Sequence, residues 1–289
     1  MKGIVLAGGK GTRLYPITKP CPKPLLPVYD KPMIYYPIAT LMKAGIRDIL
    51  IITPPDTEEP FRQLLGDGSQ FGISISYKQQ MVQRGIADAF IVGEEFIGDD
   101  HVCLVLGDNI FDGPGFSIDL KKAVAKKEGA TVFGFYVEDP RPFGVVEIGK
   151  DGKAISIEEK PADPKSHYII PGLYFYDNRV IEIAKNIRPS ARGELEITAV
   201  NNAYLEMGEL SVIKLGPKFC WFDTGNAESM YLASEAIRKL QMEQKRRIGC
   251  LEEIAYRRGF IDAEQLMVAG EALKMTEYGK YLMRIAERD

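Results

Sequence analysis

The chain has 289 residues, 45% hydrophobic and 27% charged, which is long enough to bury a full core and matches an ordinary globular composition. A formal net charge of −3 argues against a general nucleic-acid or membrane-surface protein, which needs a basic excess. His101 and His167 are the only histidines, too few for a histidine-rich metal site. Cys21, Cys103, Cys220 and Cys250 form no CxxC pair, so reduced thiols in a cytoplasmic protein are expected. No apolar run approaches the ~20 residues of a membrane span, and the N-terminal one is too short for a signal peptide.

In chain order, GIVLA (3–7), DILIIT (48–53), ISISY (73–77), VCLVLG (102–107) and ATVFGFYV (130–137) read as strands, the continuous apolar ones among them being typical of parallel strands buried on both faces. YYPIATLMKAGI, RGIADAFIVGEEFI and SIDLKKAVAKKEG carry helical spacing between them, with glycine near their ends. The alternation predicts a doubly wound α/β sheet, with ligands expected beyond the carboxyl ends of its strands, where VLAGG and VLGDN fall. Further along, GVVEIGKDGKAISIEEKP alternates on either side of Asp151-Gly152 and predicts a hairpin. GLYFYD predicts another strand, followed by a helix through VIEIAKNI. From about Ala227 the pattern is helical to the end. The boundaries are therefore set at 1–226 for an α/β domain, with parts at about 1–110 and 111–226, and at 227–289 for a helical subdomain.

The turn after the first strand, GGKGTRLYP, spends three glycines where side-chain packing is lost, as a close approach of backbone to another body requires. Residues 1–29 hold Lys2, Lys10, Arg13, Lys19 and Lys23 and no acid, a local sink for anions in a net acidic chain. The spacing fits neither GxxxxGK[ST] nor GxGxxG, so neither a P-loop nor a dehydrogenase fingerprint is present. A glycine-rich turn with solvated lysines is the plain alternative.

AGGKGTRLYP, PKPLLPVYDKPMI, LGDN (106–109), FGVVE, EEKP, RGELEIT (192–198) and WFDTG (221–225) follow one another in an order that resembles the sugar nucleotidyltransferases, and within them the glucose-1-phosphate thymidylyltransferase branch in its long bacterial form. The resemblance implies the nucleotide-diphospho-sugar transferase fold, a Rossmann-like doubly wound mixed sheet with a C-terminal helical subdomain. It implies transfer of a thymidylyl group from dTTP to glucose 1-phosphate, with Mg²⁺ as cofactor, as the first step toward dTDP-rhamnose.

Attack of one anion on another needs charge neutralisation and positioning more than a protein nucleophile. Backbone N–H groups of Gly8, Gly9 and Gly11, with Thr12, would line the triphosphate. Arg13 suits the departing pyrophosphate with its fork of donors, and by resemblance Lys23 bridges the α-phosphate and the sugar phosphate. Asp108 and Asp223 are the metal candidates, Mg²⁺ commonly taking only one or two protein carboxylates; alone, each would read as a cap or turn residue. The resemblance assigns Asn109, Gly144, Glu159, Lys160, Gly172 and Thr198 to the sugar phosphate, and Gln80 and Gly85, with backbone near Leu6 and Gly8, to the base. Trp221 reads as packing that can wall the sugar pocket.

The chain departs from that pattern at Phe143, where a tyrosine is frequent, at Pro24 and Asp88, where glutamines are frequent, and in lacking prolines between Gln80 and Gly85. These departures leave UTP as an alternative substrate. The resemblance also implies a homotetramer and a regulatory nucleotide site at Gly113, Ile254 and Arg257 that takes an end product such as dTDP-rhamnose. A solvated charge is the plain reading of Arg257. A non-catalytic nucleotide-sensing homologue is the remaining alternative, against which stands the joint presence of Arg13, Lys23, Asp108 and Asp223.

Overall fold

The computed structural model describes residues 1–9 and 11–287. The apolar runs form strands. β1 (Lys2–Leu6) leads through a glycine loop into the short hairpin of β2 (Pro27–Val28) and β3 (Lys31–Pro32), and α1 (Tyr35–Lys43) returns to β4 (Asp48–Thr53). There follow α2 (Glu58–Leu65), β5 (Ser74–Gln79), α3 (Asp88–Val92), α4 (Glu94–Ile97) and β6 (Val102–Leu106). Strands β1, β4, β5 and β6 are parallel, with Val5 opposite both Ile51 and Val105, and they lie side by side in the order β5-β4-β1-β6. The chain leaves β1 to one side for β4 and β5 and to the other for β6. The β1/β6 junction is thus the topological switch point, where ligands bind in such sheets.

The second half brings β7 (Asn109–Asp112), α5 (Phe116–Ala125), β8 (Ala130–Tyr136), β9 (Gly144–Ile148), β10 (Ala154–Glu159), β11 (Tyr168–Ile169), β12 (Leu173–Tyr176), α6 (Val180–Asn186), α7 (Ile197–Glu206), β13 (Leu210–Lys214) and β14 (Cys220–Asp223). β12 enters antiparallel between β6 and β8, so the sheet is mixed, and β9 and β10 form the expected hairpin around Asp151-Gly152. β11 and β13 carry no strong pattern in the sequence. β13 has one face half-covered and alternates poorly, and it is recruited by pairing parallel to β8.

One expectation is corrected. RGIADAFIVGEEFI forms two short helices instead of one. At Gly93 the backbone takes φ −87° and ψ 0°, and a Cβ there would lie 2.9 Å from the Ala89 carbonyl and 3.0 Å from Ile4 Cδ1, so the chain turns tightly over β1.

The tail is helical as expected: α8 (Ala227–Gln244), α9 (Leu251–Arg257), α10 (Ala263–Ala272) and α11 (Glu277–Ala286). A reciprocal cap between Asn226 and Ser229 starts α8, and a second between Asp262 and Gln265 starts α10. Ala233 and Ile237 of α8 pack on Val28, Met33, Tyr36 and Ile110, while Leu251, Ala255, Leu266 and Leu282 join the apolar cluster under α1 and the sheet. Buried polar contacts reinforce this: Gln241 Nε2 donates to Asp30 at 3.0 Å, Lys31 Nζ reaches Gln241 at 3.3 Å, and Arg247 pairs with Asp30. Among the described residues no helix is long and apolar enough to cross a membrane.

Candidate active site

Two adjoining cavities, of about 600 and 680 Å³, open over the carboxyl ends of β1 and β6. The glycine loop walls the first. Leu6, Gly8, Gly9, Gly11, Thr12, Arg13, Lys23, Gln80, Gly85 and Asp108 all line it. Gly11, at φ 63°, opens a 3₁₀ turn over Thr12–Leu14, and its carbonyl accepts the Thr18 hydroxyl at 2.7 Å, which fixes the loop's exit. Lys10 lies outside the described residues.

Lys23 begins a second 3₁₀ turn, Lys23–Leu25, and is 7% exposed; its Nζ sits 2.5 Å from Asp108 Oδ2. Asp108 follows β6, and Asp223 closes β14. The two come together because β14 pairs antiparallel with β7, setting Asp223 opposite Asn109. Fully buried Thr224 then ties both segments, donating from its backbone N–H and its hydroxyl to the Asp108 carbonyl at 3.2 and 2.9 Å.

The carboxylates do not share one electrostatic state. Burial works against charge on Asp108, but Lys23 and hydrogen bonds from Lys23 and Asn109 outweigh it and hold the carboxyl below its usual range. Burial pushes Asp223 up, and the charge on Asp108 pushes it further, against the opposing pull of Lys23 and Arg13. Two crowded acids, one reluctant to ionise, suit a divalent cation. Among the described residues no cluster of three or more acidic, histidine or cysteine ligands exists, so a cation here would draw its other ligands from water and phosphate.

The second cavity gathers Asn109, Gly144, Glu159, Lys160, Gly172 and Thr198 together with Asp223 and Trp221. Asn109 Oδ1 accepts Gly172 N–H at 3.1 Å and Trp221 Nε1–H at 2.7 Å, while its Nδ2 donates to Asp108 Oδ1 at 2.9 Å. Trp221 therefore packs and also orients the asparagine. Glu159 accepts the Thr198 hydroxyl at 2.5 Å. Lys160 holds a left-handed φ of 46°, its N–H bonded to the Phe143 carbonyl at 3.0 Å. Phe143 meets Trp221 edge to face at 5.4 Å, so an apolar contact replaces any hydroxyl there.

Sequence reasoning missed Gln83, Arg192, Glu194 and Glu196, which also line the first cavity. Arg192 spans Glu196 at 2.8 Å, Glu194 at 3.5 Å and Glu159 at 3.6 Å. The signal was present in RGELEIT, whose alternating charges sit where two segments converge. Gln83 gives its side-chain N–H to the Gly8 carbonyl, and nothing in the sequence marks it.

Of Gly113, Ile254 and Arg257, Gly113 alone lines one of the three cavities described. Gly113 lines a separate hollow of about 400 Å³ with Asp112, Lys218 and Arg246, whereas Ile254 and Arg257 lie on α9 and do not line it.

Comparisons with known proteins show the family. The profile described as "Nucleotidyl transferase" matches residues 2–240. A glucose-1-phosphate thymidylyltransferase of Neisseria meningitidis is 57% identical over 288 residues, all of both chains. Among solved structures, a Bacillus anthracis protein provisionally described as a glucose-1-phosphate thymidylyltransferase, in complex with a sucrose, superposes with a TM-score of 0.77 at 44% identity, covering 82% of this chain and 95% of its own. A UDP-glucose pyrophosphorylase complexed with UDP-glucose gives 0.71 at 25% identity, covering 83% and 98%. A glycine loop and a pair of carboxylates meeting at the switch point of a mixed sheet, with relatives matched along their whole length, identify the chain as a member of the nucleotidyl transferase family.

Proposed function

We propose that the chain transfers a thymidylyl group from dTTP to α-D-glucose 1-phosphate, forming dTDP-glucose and pyrophosphate at the head of a deoxysugar route such as that to dTDP-rhamnose. The observation that carries this reading is the shared wall: Arg13, Asp108, Glu159 and Lys160 line both cavities, so a nucleotide on the glycine loop and a sugar phosphate beside Asn109 and Thr198 would meet there.

A phosphate oxygen of the sugar phosphate attacks the α-phosphorus. The new P–O bond forms as the α–β bridge breaks in line, and the electron pair leaves with pyrophosphate. Both reactants are anions, so charge compensation and alignment dominate the barrier. Lys23 swings from Asp108 to the α-phosphate and the incoming phosphate, and Arg13 takes the leaving pyrophosphate in its donor fork. Lys160 holds the sugar's phosphate. Glu159, oriented by Thr198, accepts from sugar hydroxyls, and Asn109, fixed by Trp221 and Gly172, closes the ring of polar contacts. Gln80 and Gly85 receive the base. Asp108 and Asp223 would hold Mg²⁺, which when bound supplies positive charge against the phosphate oxygens.

The same reading includes a homotetramer in the cytoplasm and feedback by an end-product nucleotide sugar near Gly113, Ile254 and Arg257. Exposed Tyr231 and Met242 on α8 support association of copies, and Lys218 and Arg246 at the Gly113 hollow support an anion there.

A uridylyl transfer is the second reading, favoured by the likeness to UDP-glucose pyrophosphorylase and by the altered segment between Gln80 and Asp88. Pyrophosphate release with Mg²⁺ and glucose 1-phosphate, comparing dTTP, UTP, GTP, ATP and CTP at limiting concentration, separates them. Preference for dTTP is expected, preference for UTP installs the second reading, and absence of turnover with every pair overturns both.

A further inference from the structure

Gln80, which lines the first cavity just beyond β5, is 3% exposed, and behind it Asp88, at the start of α3, is 1% exposed. Gln80 Nε2 donates to Asp88 Oδ2 at 2.8 Å and lies 3.5 Å from the Gly85 carbonyl. Both neighbours on that side only accept. A carboxylate and a peptide carbonyl have no proton to give, so only the NH₂ end of the amide can face them.

Gln80 Oε1 is therefore turned the other way. It faces Gly8, where an added Cβ would come within 2.9 Å of it, and the cavity that both residues line. Asp88 is itself held in place, because Arg84 Nη2 lies 3.0 Å from Oδ1. That contact is off the hydrogen-bond line, which leaves Oδ1 attracted by charge but without a hydrogen-bond donor. The sense of the amide matters because pyrimidines differ at ring N3: thymine and uracil present an N–H there, cytosine a bare acceptor.

We propose that Asp88 is the positioning residue that sets base specificity: it locks the Gln80 amide as an acceptor, so that the cavity admits a pyrimidine bearing N3–H and rejects cytosine. This rests on the reading that places the base at Gln80. A glutamine at position 88 could present either end of its amide to Gln80, whereas the aspartate leaves one orientation.

The test compares kcat/KM for dTTP and dCTP, by pyrophosphate release with glucose 1-phosphate and Mg²⁺, in the intact protein, Asp88→Asn and Asp88→Glu. In Asp88→Asn the new amide turns its oxygen to Arg84 and its NH₂ to Gln80; that close pairing outweighs the long 3.5 Å contact to the Gly85 carbonyl, so Gln80 swings its own NH₂ into the cavity. The dTTP-over-dCTP ratio should fall about tenfold or more, carried by the nucleotide KM with kcat little changed. Asp88→Glu keeps an acceptor-only group and should keep the ratio.

An unchanged ratio in Asp88→Asn overturns the proposal, and so does an equal loss in Asp88→Glu, which would mean that packing alone is at stake. Should Asp88→Asn not fold, the intact protein decides: dTTP methylated at N3 should bind at least about tenfold more weakly than dTTP, and equal binding overturns the proposal. Failure of the underlying reading is visible separately, as absence of dTTP turnover in the intact protein, and the proposal falls with it.

Discussion

Replacing Lys23 with alanine removes the cation nearest both candidate metal carboxylates. Its Nζ and Asp108 Oδ2 are 2.5 Å apart, a gross attraction of ~7 kcal/mol at an effective dielectric near 20. Desolvation offsets most of this. The lysine side chain is only 8% exposed and that of Asp108 28%, so the net contribution is about 1–3 kcal/mol. For a chain of this size a loss of ~2 kcal/mol lowers the melting temperature by about 3 °C. Without Lys23, Asp108 and Asp223 repel with only Arg13 to compensate, and a divalent cation no longer competes with an ammonium. Mg²⁺ should therefore raise the melting temperature of Lys23→Ala more than that of the parent. Turnover should nevertheless fall by ~10²–10³, because the cation proposed for the α-phosphate would be gone. Circular-dichroism melts with and without Mg²⁺, alongside pyrophosphate release, measure both. Equal Mg²⁺ stabilisation in the two proteins, or turnover close to the parent's, would refute the assignment.

Gly85→Ala places a methyl 2.5 Å from the Leu195 carbonyl at a φ of +107°, so a loss of ~1–3 kcal/mol and a weaker nucleotide KM are expected; an unmoved denaturant midpoint would contradict this. Trp221→Phe deletes the 2.7 Å donor to Asn109 and should raise the KM for glucose 1-phosphate about fivefold, the equivalent of ~1 kcal/mol, while leaving the nucleotide KM alone. Asp223 protonates above the usual carboxylate range, so the Mg²⁺ concentration for half-maximal activity should rise as pH falls from neutral toward that range. The sign for stability is the reverse. A raised pKa stabilises the fold at low pH and loses that contribution as pH rises through it. Asp223→Asn should accordingly melt higher than the metal-free parent at neutral pH and lose its response to Mg²⁺, and a lower melting temperature would count against the crowding of the two acids.

The parallel half of the sheet was legible because β1, β4 and β6 are buried on both faces and so read as unbroken apolar runs. β11 and β13 were not, because two residues, or a half-covered edge, carry too little periodicity, and pairing with β8 and β9 for β11 and with β8 for β13 makes them strands. Asp108 and Asp223 stood out through their motifs, yet their meeting depends on the β7–β14 register, which no local pattern encodes. Gln83 was invisible for a similar reason: a glutamine in a polar loop looks solvated until its amide is seen on the Gly8 carbonyl. Arg192 was hidden in a motif read only for its threonine.

The acid-free first 29 residues suggest a purely cationic anion sink, but the finished site has mixed charge. Asp108, Glu159, Glu194 and Glu196 join Arg13, Lys23, Lys160 and Arg192 on the cavity walls, Lys23, Lys160 and Arg192 paired with acids and Arg13 set beside Asp223. On the proposed reading, phosphates entering such a site would draw Lys23, Lys160 and Arg192 away from their carboxylates, and each acid so released would become uncompensated in a partly desolvated place. Glu159 has Thr198 to donate to it, which matches a residue meant to receive sugar hydroxyls next. Asp108 retains the Asn109 amide and a backbone N–H once Lys23 leaves, with Asp223 pressing on it. On the proposed reading, Asp108 is the acid for which a divalent cation would be the fitting replacement once Lys23 turns to phosphate.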